Sequence, residues 1–178
     1  GYYSAAGATL CTQVTAGYYA VNGAGTAVSS AATAQAGCAS GYYSAAGSTV
    51  CAQAVAGYYT TDGSGTATDG AGAAAQEACP SGRYSGSAGT TLCTQAQKGY
   101  YTVSTVGGTT ASNSGALDEA IATAGYFTVD NNDNAVAIGA VDVKQARSGY
   151  YTVSTLGGTT PTSSGAVDEA ITPQGNYA

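Results

Sequence analysis

Aromatic residues recur in one pattern along the chain and separate stretches of small, mostly uncharged residues. The pattern is glycine, then any residue, then an aromatic residue, and its nine openings begin at Gly1, Gly17, Gly41, Gly57, Gly82, Gly99, Gly125, Gly149 and Gly175. The openings contain all 15 tyrosines and the one phenylalanine. Their spacing runs from 16 residues (Gly1 to Gly17) to 26 (Gly99 to Gly125), which is typical of a tandem-repeat fold.

Each opening starts a β-favouring run that ends in turn-forming residues. Tyr-Tyr-Thr-Val-Ser-Thr, for example, begins at Tyr100 and is followed by a glycine pair. Aromatic and β-branched residues favour strands, and glycine favours turns, so the chain is predicted to be all-β, with short strands and hairpins. Helix competes only over residues 114–122, where Ser114 is a candidate cap.

The two aromatic side chains of one opening point to opposite faces of a strand. The third position is always Tyr or Phe, whereas the second becomes Arg83 and Asn176 in two openings. We therefore predict that the second-position rings form an outer stripe. The third-position rings should face inward against neighbouring repeats, and they are Tyr3, Tyr19, Tyr43, Tyr59, Tyr84, Tyr101, Phe127, Tyr151 and Tyr177.

Large aliphatic side chains are too few for one central core. Leu, Ile, Val and Phe together make up 21 of the 178 residues. This is about 12%, below the ~20% at which chains usually stop burying a core of their own. The charged fraction of 8% and the many tyrosines argue against disorder. We predict an elongated rod in which the inner rings form a discontinuous ladder.

Two parts of the chain differ in repeat type. Residues 1–98 alternate short and long repeats and contain all five cysteines. Residues 99–178 contain only long, cysteine-free repeats, with the signature Gly-Ala-Leu-Asp or Gly-Ala-Val-Asp at Gly115, Gly139 and Gly165. We expect the second part to continue the rod of the first.

Charge and cysteine content exclude several classes of function. The net charge of −6 leaves no basic patch, so nucleic acid is not an expected partner. No apolar run approaches the ~20 residues of a membrane span, and Gly1 opens directly into a repeat, as in a mature or excised piece. Cysteines without histidine or a Cys-x-x-Cys pair indicate disulfides rather than zinc. The predicted location is extracellular, secreted or at the cell surface.

Two segments have the spacing of a known family. Residues 37–59 read GCASGYYSAAGSTVCAQAVAGYY, and residues 78–93, ACPSGRYSGSAGTTLC, match them with one residue more. The spacing resembles that of ephrin-receptor-like cysteine-rich repeats, which occur in tandem in extracellular proteins, including surface antigens and filament proteins of protists. The resemblance extends from Gly1 to about Tyr101. It implies small disulfide-stapled β-modules that stack into rods.

The resemblance also implies a cysteine pairing. Cys38 would pair with Cys51 and Cys79 with Cys93, which leaves Cys11 to a partner outside the chain segment, either upstream or on another subunit. The second cysteine of the family's Cys-x-x-Cys is replaced by Val14, Ala54 and Ala96. One family bridge per module is therefore expected to be missing.

Acidic residues offer two alternatives to a purely structural role. Asp130–Asn134 has the oxygen-rich start of a calcium loop, but Ala135 and Val141 stand where the loop needs Gly and Glu, so an ordinary polar turn is favoured. Asp118–Glu119 and Asp168–Glu169 are candidate acid/base pairs, but their recurrence favours a solvated face. Without histidine or a phosphate loop, we expect no enzyme activity, no cofactor and no metal.

Serine and threonine crowd the turns of the second part. Such tracts suit O-glycosylation in secreted proteins, and ordinary soluble turn residues are the alternative. The candidate O-glycan sites are Thr109, Thr110, Thr159, Thr160 and Thr162. The chain contains no N-glycan acceptor sequence.

Together these patterns predict a structural subunit of an extracellular filament or cell coat. Its expected partners are covalent glycans and other copies of itself, joined by repeat stacking. The alternative is a cell-surface adhesin or carbohydrate-binding surface antigen, whose outer tyrosines would stack on sugar.

Overall fold

The computed structural model describes residues 1–69 and 72–173. These residues form no helix, and sixteen strands make eight antiparallel two-stranded hairpins one after another. The all-β prediction of short hairpins is therefore confirmed. The strands, in chain order, are β1 Tyr2–Tyr3, β2 Thr12–Gln13, β3 Tyr18–Val21, β4 Ala34–Gly37, β5 Tyr42–Tyr43, β6 Ala52–Gln53, β7 Tyr58–Thr61, β8 Ala75–Ala78, β9 Arg83–Tyr84, β10 Thr94–Gln95, β11 Tyr100–Val103, β12 Asp118–Ile121, β13 Tyr126–Val129, β14 Asp142–Gln145, β15 Tyr150–Val153 and β16 Asp168–Ile171.

Each hairpin corresponds to one repeat, and we call the repeats modules 1 to 8. Modules 1, 3 and 5 are the short repeats, with strands of two residues, and the other five have strands of four. The modules begin at Gly1, Gly17, Gly41, Gly57, Gly82, Gly99, Gly125 and Gly149.

A tight turn leads into each module from the second onward and explains its opening glycine. In module 2 the N–H of Tyr18 donates to the carbonyl of Thr15 at 3.1 Å, and Gly17 between them has a φ of 85°. A positive φ at the third residue of a turn is what a type II turn requires, and only glycine adopts it freely. The glycine therefore sets the direction in which the aromatic pair enters its strand.

Residues 114–122 contain strand β12 where helix was a competing expectation. Asp118 pairs with Val103 and Ile121 with Tyr100. The N–H of Gly115 donates to the carbonyl of Cys79 at 2.9 Å. Helix propensity is a weak prior, and the pairing with β11 and the contact with an earlier module override it.

The chain divides into two compact units. The first contains Gly1–Ala78 and Ser87–Leu92, and the second contains Cys79–Gly86 and the chain from Cys93 onward. The boundary near Lys98 and the elongated rod both stay predictions. The two disulfides lie before Lys98, as expected for the cysteine-containing part.

Buried side chains form small clusters, and each cluster joins two successive modules. Their members are Val14, Ala20 and Ala32 with Tyr3 packed on them; Tyr101, Val103 and Ala140; and Phe127, Val129 and Ala166. An isolated two-stranded hairpin is at best marginally stable in water. The contacts between modules therefore supply the cohesion that a single hairpin lacks.

Candidate functional site: the contact between modules

In four modules the third-position aromatic residue pairs with an alanine of the next module. Tyr101 forms a parallel bridge with Ala140, and Phe127 forms one with Ala166. The following residue, Thr128 in module 7, donates its N–H to the same alanine carbonyl at 3.0 Å. Two further bridges of this kind join Tyr43 to Ala73 and Tyr84 to Ala116. A strand of one module is thus continued by one residue pair into its successor.

The third-position rings differ in how fully they are covered. Tyr101 and Phe127 are buried, with 6% and 5% of their surface exposed. Half-buried rings are Tyr3, Tyr19, Tyr43, Tyr59, Tyr84 and Tyr151, and Tyr177 lies outside the described residues. In the second position, exposed rings are Tyr2, Tyr18, Tyr42, Tyr58 and Tyr126. Tyr100 and Tyr150 depart from the expected outer stripe because they are half-buried.

Polar contacts hold two of these tyrosines. The hydroxyl of Tyr101 donates to the carbonyl of Thr109 at 3.1 Å. Burial raises the pKa of Tyr101 above its ordinary value because it disfavours the phenolate, and the negative charge of Asp142 adds to the effect. The guanidinium of Arg147 lies 4.1 Å from the ring centre of Tyr150, which accounts for the partial burial of that outer ring.

A second contact joins each module from the third onward to the module two before it. The N–H of Gly47 in a loop of module 3 donates to the carbonyl of Val14 at 2.8 Å. The same bond recurs in Gly72–Cys38, Gly89–Ala54, Gly115–Cys79, Gly139–Ala96 and Gly165–Ala122. All six acceptor residues stand three positions before an opening glycine, and all are buried. One backbone bond therefore recurs through both units.

The opening glycines lie directly against the loop glycines of the module two ahead. A Cβ added at Gly41 would overlap the carbonyl oxygen of Gly89, and the same holds for Gly99 and Gly165. Three more pairs are Gly1 with Gly47, Gly17 with Gly72 and Gly82 with Gly139. Glycine is thus required for the approach of two backbones as well as for the turn.

The disulfides occupy the same contact. The structure contains Cys38–Cys51 and Cys79–Cys93, which are the pairs implied by the family resemblance. Cys38 and Cys79 are fully buried acceptor residues of the bond described above. Disulfides of this kind are consistent with an extracellular or secreted protein.

Cys11 and the residues at the positions equivalent to Cys38 and Cys79 differ in exposure. Cys11 is exposed and has no disulfide partner within the described part of the chain. Val14, Ala54 and Ala96 are buried and take the place of Cys38 and Cys79 in the short modules. At the positions equivalent to Cys38 and Cys79, the short modules therefore pack a small apolar side chain instead of a disulfide.

The acidic pairs are not the solvated face that was expected. Glu119 is half-buried and accepts a hydrogen bond from the N–H of Gln97 at 2.6 Å. Asp118 accepts one from the N–H of Gly107 at 2.9 Å. This bond and a second from the N–H of Glu119 hold the pKa of Asp118 below its ordinary value, because both favour the carboxylate. The N–H groups of Gln97 and Gly107 have no backbone acceptor among the described residues, and these carboxylates supply one.

The same roles recur in other modules. In module 8, Asp168 accepts from the N–H of Gly157 and Glu169 from the N–H of Arg147. In the cysteine-containing part, uncharged glutamine replaces glutamate: the side chain of Gln35 accepts from the N–H of Thr15 at 2.9 Å. A position that accepts Gln or Glu needs a hydrogen-bond acceptor rather than a charge. Glu119 and Glu169 thus accept a backbone hydrogen bond from the preceding module, as glutamine does in the cysteine-containing part.

Asp130–Asn134 forms the polar turn between β13 and β14. The carboxylate of Asp130 accepts from the N–H of Asn134 at 2.9 Å and of Asn132 at 2.8 Å, and these bonds lower its pKa. Asn22 and Asp62 make the same kind of turn in modules 2 and 4. Across residues 1–69 and 72–173, no group of three or more His, Cys, Asp or Glu side chains is placed to hold a metal ion.

The candidate glycan sites lie on loops of modules 6 and 8. Exposed residues are Thr109, Thr110, Thr159 and Thr160, whereas Thr162 is half-buried. The hydroxyl of Thr162 donates to the carbonyl of Ser164 at 2.8 Å. The side chains of the four exposed threonines are thus the more accessible acceptors.

Sequence reasoning missed the loop glycines and alanines that make the contacts. Their signal was present in the Gly-Ala-x-Asp signature. In module 6 the N–H of Gly115 donates to a carbonyl two modules back, Ala116 forms a backbone bridge with Tyr84 of the preceding module, and Asp118 accepts the loop amide. The glycine, the alanine and the aspartate of the signature thus each make a contact of their own.

An open groove of about 340 Å³ lies beside the first disulfide. Tyr19, Tyr42 and Val50 line it together with Cys38 and Cys51. Two aromatic rings, a valine and a disulfide give this groove an apolar lining.

No helix in the described residues is long and apolar enough to cross a membrane. Comparison of the chain with protein-family models and with curated proteins finds no match.

Proposed function

We propose that this chain is a structural subunit of an extracellular filament or cell coat and that copies assemble by the stacking that joins its modules. The observation that carries the proposal is the recurrence of one bond, from a loop glycine to the residue three positions before an opening glycine. When one end of a molecule binds the opposite end of the next copy, every added copy leaves the same end free. The assembly then grows into an open polymer.

The extracellular location is supported by two features. The Cys38–Cys51 and Cys79–Cys93 disulfides suit an oxidising compartment. The cysteine spacing resembles that of ephrin-receptor-like repeats, which occur in extracellular rods.

O-linked glycans are part of the proposal. Thr109, Thr110, Thr159 and Thr160 are exposed, and Thr162 is the fifth candidate. Only 8% of the residues are charged, so charge repulsion between neighbouring filaments is weak. A coat of sugars would keep filaments apart by steric hindrance and hydration.

Negative-stain microscopy of the purified native chain over a range of concentrations tests the assembly. We expect long fibres of uniform width. Monodisperse particles at every concentration would contradict the proposed function. Mass spectrometry of tryptic peptides before and after chemical deglycosylation tests the glycans separately, with loss of hexose masses expected from the peptides that contain Thr109 and Thr159.

A second function, carbohydrate binding by a surface adhesin, is favoured by the groove at Tyr19 and Tyr42. Aromatic rings bind sugars by stacking on their apolar faces. A glycan array would then show a hit that Tyr42→Ala removes. Tyr58→Ala is the matched control, because Tyr58 occupies the same position in module 4 and is exposed to the same 36% as Tyr42. Binding without fibres would favour this alternative.

A further inference from the structure

Modules 1 and 2 carry the loop groups of the later modules, but those groups have no partner among the described residues. The N–H of Gly7 corresponds to that of Gly47 and donates to no backbone carbonyl in the described part. The N–H of Ala31 corresponds to that of Gly72 and is equally free there. Ala31 nevertheless has a φ of 54°, in the region that Gly72 occupies and that alanine rarely adopts. The loop at Ala31 thus has the backbone conformation of the Gly72 loop, but within the described residues it does not make the hydrogen bond that Gly72 makes.

The exposure of this loop in module 1 also differs from that of its counterparts. Gly7, Ala8 and Thr9 are exposed. The equivalent residues of modules 3 and 5 are half-buried, namely Gly47, Ser48, Thr49, Gly89, Thr90 and Thr91. We call Gly7, Ala8, Thr9 and Ala31 the donor face.

In modules 7 and 8, the groups without partners are those that receive a later module elsewhere in the chain. Gly125 and Gly149 are exposed, and a Cβ at either would meet nothing within 4 Å, whereas the opening glycines of modules 2 to 6 are buried. The carbonyl of Ala146, equivalent to that of Ala122, accepts no backbone N–H in the described residues. The N–H of Thr152, equivalent to that of Thr128, has no backbone acceptor there. We call Gly125, Ala146, Gly149 and Thr152 the acceptor face.

We propose that the donor face of a second copy of this chain docks on the acceptor face as if its modules continued the series. The N–H of Gly7 would donate to the carbonyl of Ala146, and the N–H of Thr152 would donate to the carbonyl of Ala8. The proposal rests on the filament function and adds to it the direction of assembly, which is head to tail.

The chemistry of the two faces is matched group for group. Each face consists of backbone amides and small uncharged side chains, so docking buries no charge. Backbone N–H and C=O groups that leave water must be paired, and the register that the chain uses six times internally pairs them. Because the two faces differ, the contact is heterologous and does not close on itself in a two-fold dimer.

Ala8→Arg tests the donor face, with Ala6→Arg as its matched control. Both alanines are exposed residues of one turn, and both changes add one positive charge. The counterparts of Ala6, which are Ala46 and Ala88, stay exposed in modules 3 and 5, so this side chain should lie outside the contact. We expect Ala8→Arg to raise the concentration needed for fibre formation at least tenfold. Ala6→Arg should stay within twofold of the native chain.

Mixing experiments test the direction. A chain with Ala8→Arg keeps its acceptor face, so it adds to one fibre end and leaves a blocked donor face there. One part of this variant in ten should shorten native fibres, while Ala6→Arg at the same ratio should not. Far-UV circular dichroism and a count of free thiols confirm that both variants fold.

Two results would overturn the proposal. If the native chain forms fibres and Ala8→Arg changes neither the concentration needed for fibre formation nor the fibre length in mixtures, this interface is wrong. The filament function would then still stand. A native chain that stays monomeric at all concentrations would reject both this interface and the filament function.

Discussion

Gly99 lies against the backbone of Gly165, so closely that a Cβ on Gly99 would overlap the carbonyl oxygen of Gly165. The two residues belong to modules 6 and 8, and the N–H of Gly165 also donates to the carbonyl of Ala122 at 2.8 Å. Modules two apart are thus joined through their backbones. Any side chain in place of the opening glycine would therefore hinder the stacking of the two modules.

Gly99→Ala should destabilise the chain through two effects. The residue has a φ of 75°, which costs an alanine about 1–2 kcal/mol, and the overlap with Gly165 costs about 1–3 kcal/mol more. Gly125→Ala is the control, because Gly125 has a φ of 81° but nothing within 4 Å of an added Cβ. Urea unfolding at concentrations where the chain is monomeric measures both. Equal losses in the two variants would show that the backbone contact contributes nothing.

Phe127→Ala should lower the free energy of unfolding by about 3–5 kcal/mol, because it empties a site packed against Val129 and Ala166. Tyr126→Ala, in the same strand, should cost less than about 1 kcal/mol, since Tyr126 is an exposed ring. The comparison tests the inward and outward assignment of the two aromatic positions. Similar costs for both would contradict it.

Removal of the first disulfide should cost about 3 kcal/mol, as estimated for a loop of this length. The double variant Cys38→Ala with Cys51→Ala is suitable, because alanine already stands at Ala54 and Ala96, the buried positions equivalent to Cys38. Cys11→Ala should change stability by less than about 0.5 kcal/mol. Thermal unfolding of both variants provides the measurement, and an unchanged midpoint for the double variant would refute a stabilising role.

Cys11 should react with a maleimide in the folded chain, because its side chain is exposed and unpaired in the described part. Mass spectrometry should find one label per chain before reduction and five after reduction and unfolding, since the chain has five cysteines. In material from the native source, a Cys11 that labels only after reduction would support the expected partner outside the chain segment. More than one label before reduction would mean that a disulfide is open.

Acid should destabilise the fold through Asp118. Its pKa is below the ordinary value of 3.8 because the N–H groups of Gly107 and Glu119 donate to the carboxylate. A carboxyl with a lower pKa in the folded state stabilises the fold above its unfolded pKa, and this stabilisation is lost as the pH falls through the folded pKa. Asp118→Asn should reduce stability at about pH 6 and weaken the fall below about pH 4.

Asp69→Asn is the control for the acid experiment, because the Asp69 carboxylate accepts no hydrogen bond from the described residues. Urea midpoints between about pH 6 and pH 2.5 give the two curves. A native-like slope in Asp118→Asn would show that other groups cause the acid sensitivity.

Much of the local structure follows from the sequence alone. Glycine before each aromatic pair specifies a turn with positive φ, and the β-favouring run after it specifies a strand, so the series of hairpins is determined within about twenty residues of chain. The short span between Cys38 and Cys51 also lies within this range, and their pairing is the one that the family resemblance implied.

Only the tertiary structure decided how the hairpins meet. That Gly41 lies on Gly89, or that Glu119 accepts the N–H of Gln97, depends on the stacking of whole modules, and neither pattern is visible in one repeat. Residues 118–121 form a strand despite local helix propensity, because they pair with β11. Pairing within a hairpin is a local interaction, whereas contacts between modules two apart arise from how successive hairpins pack in space.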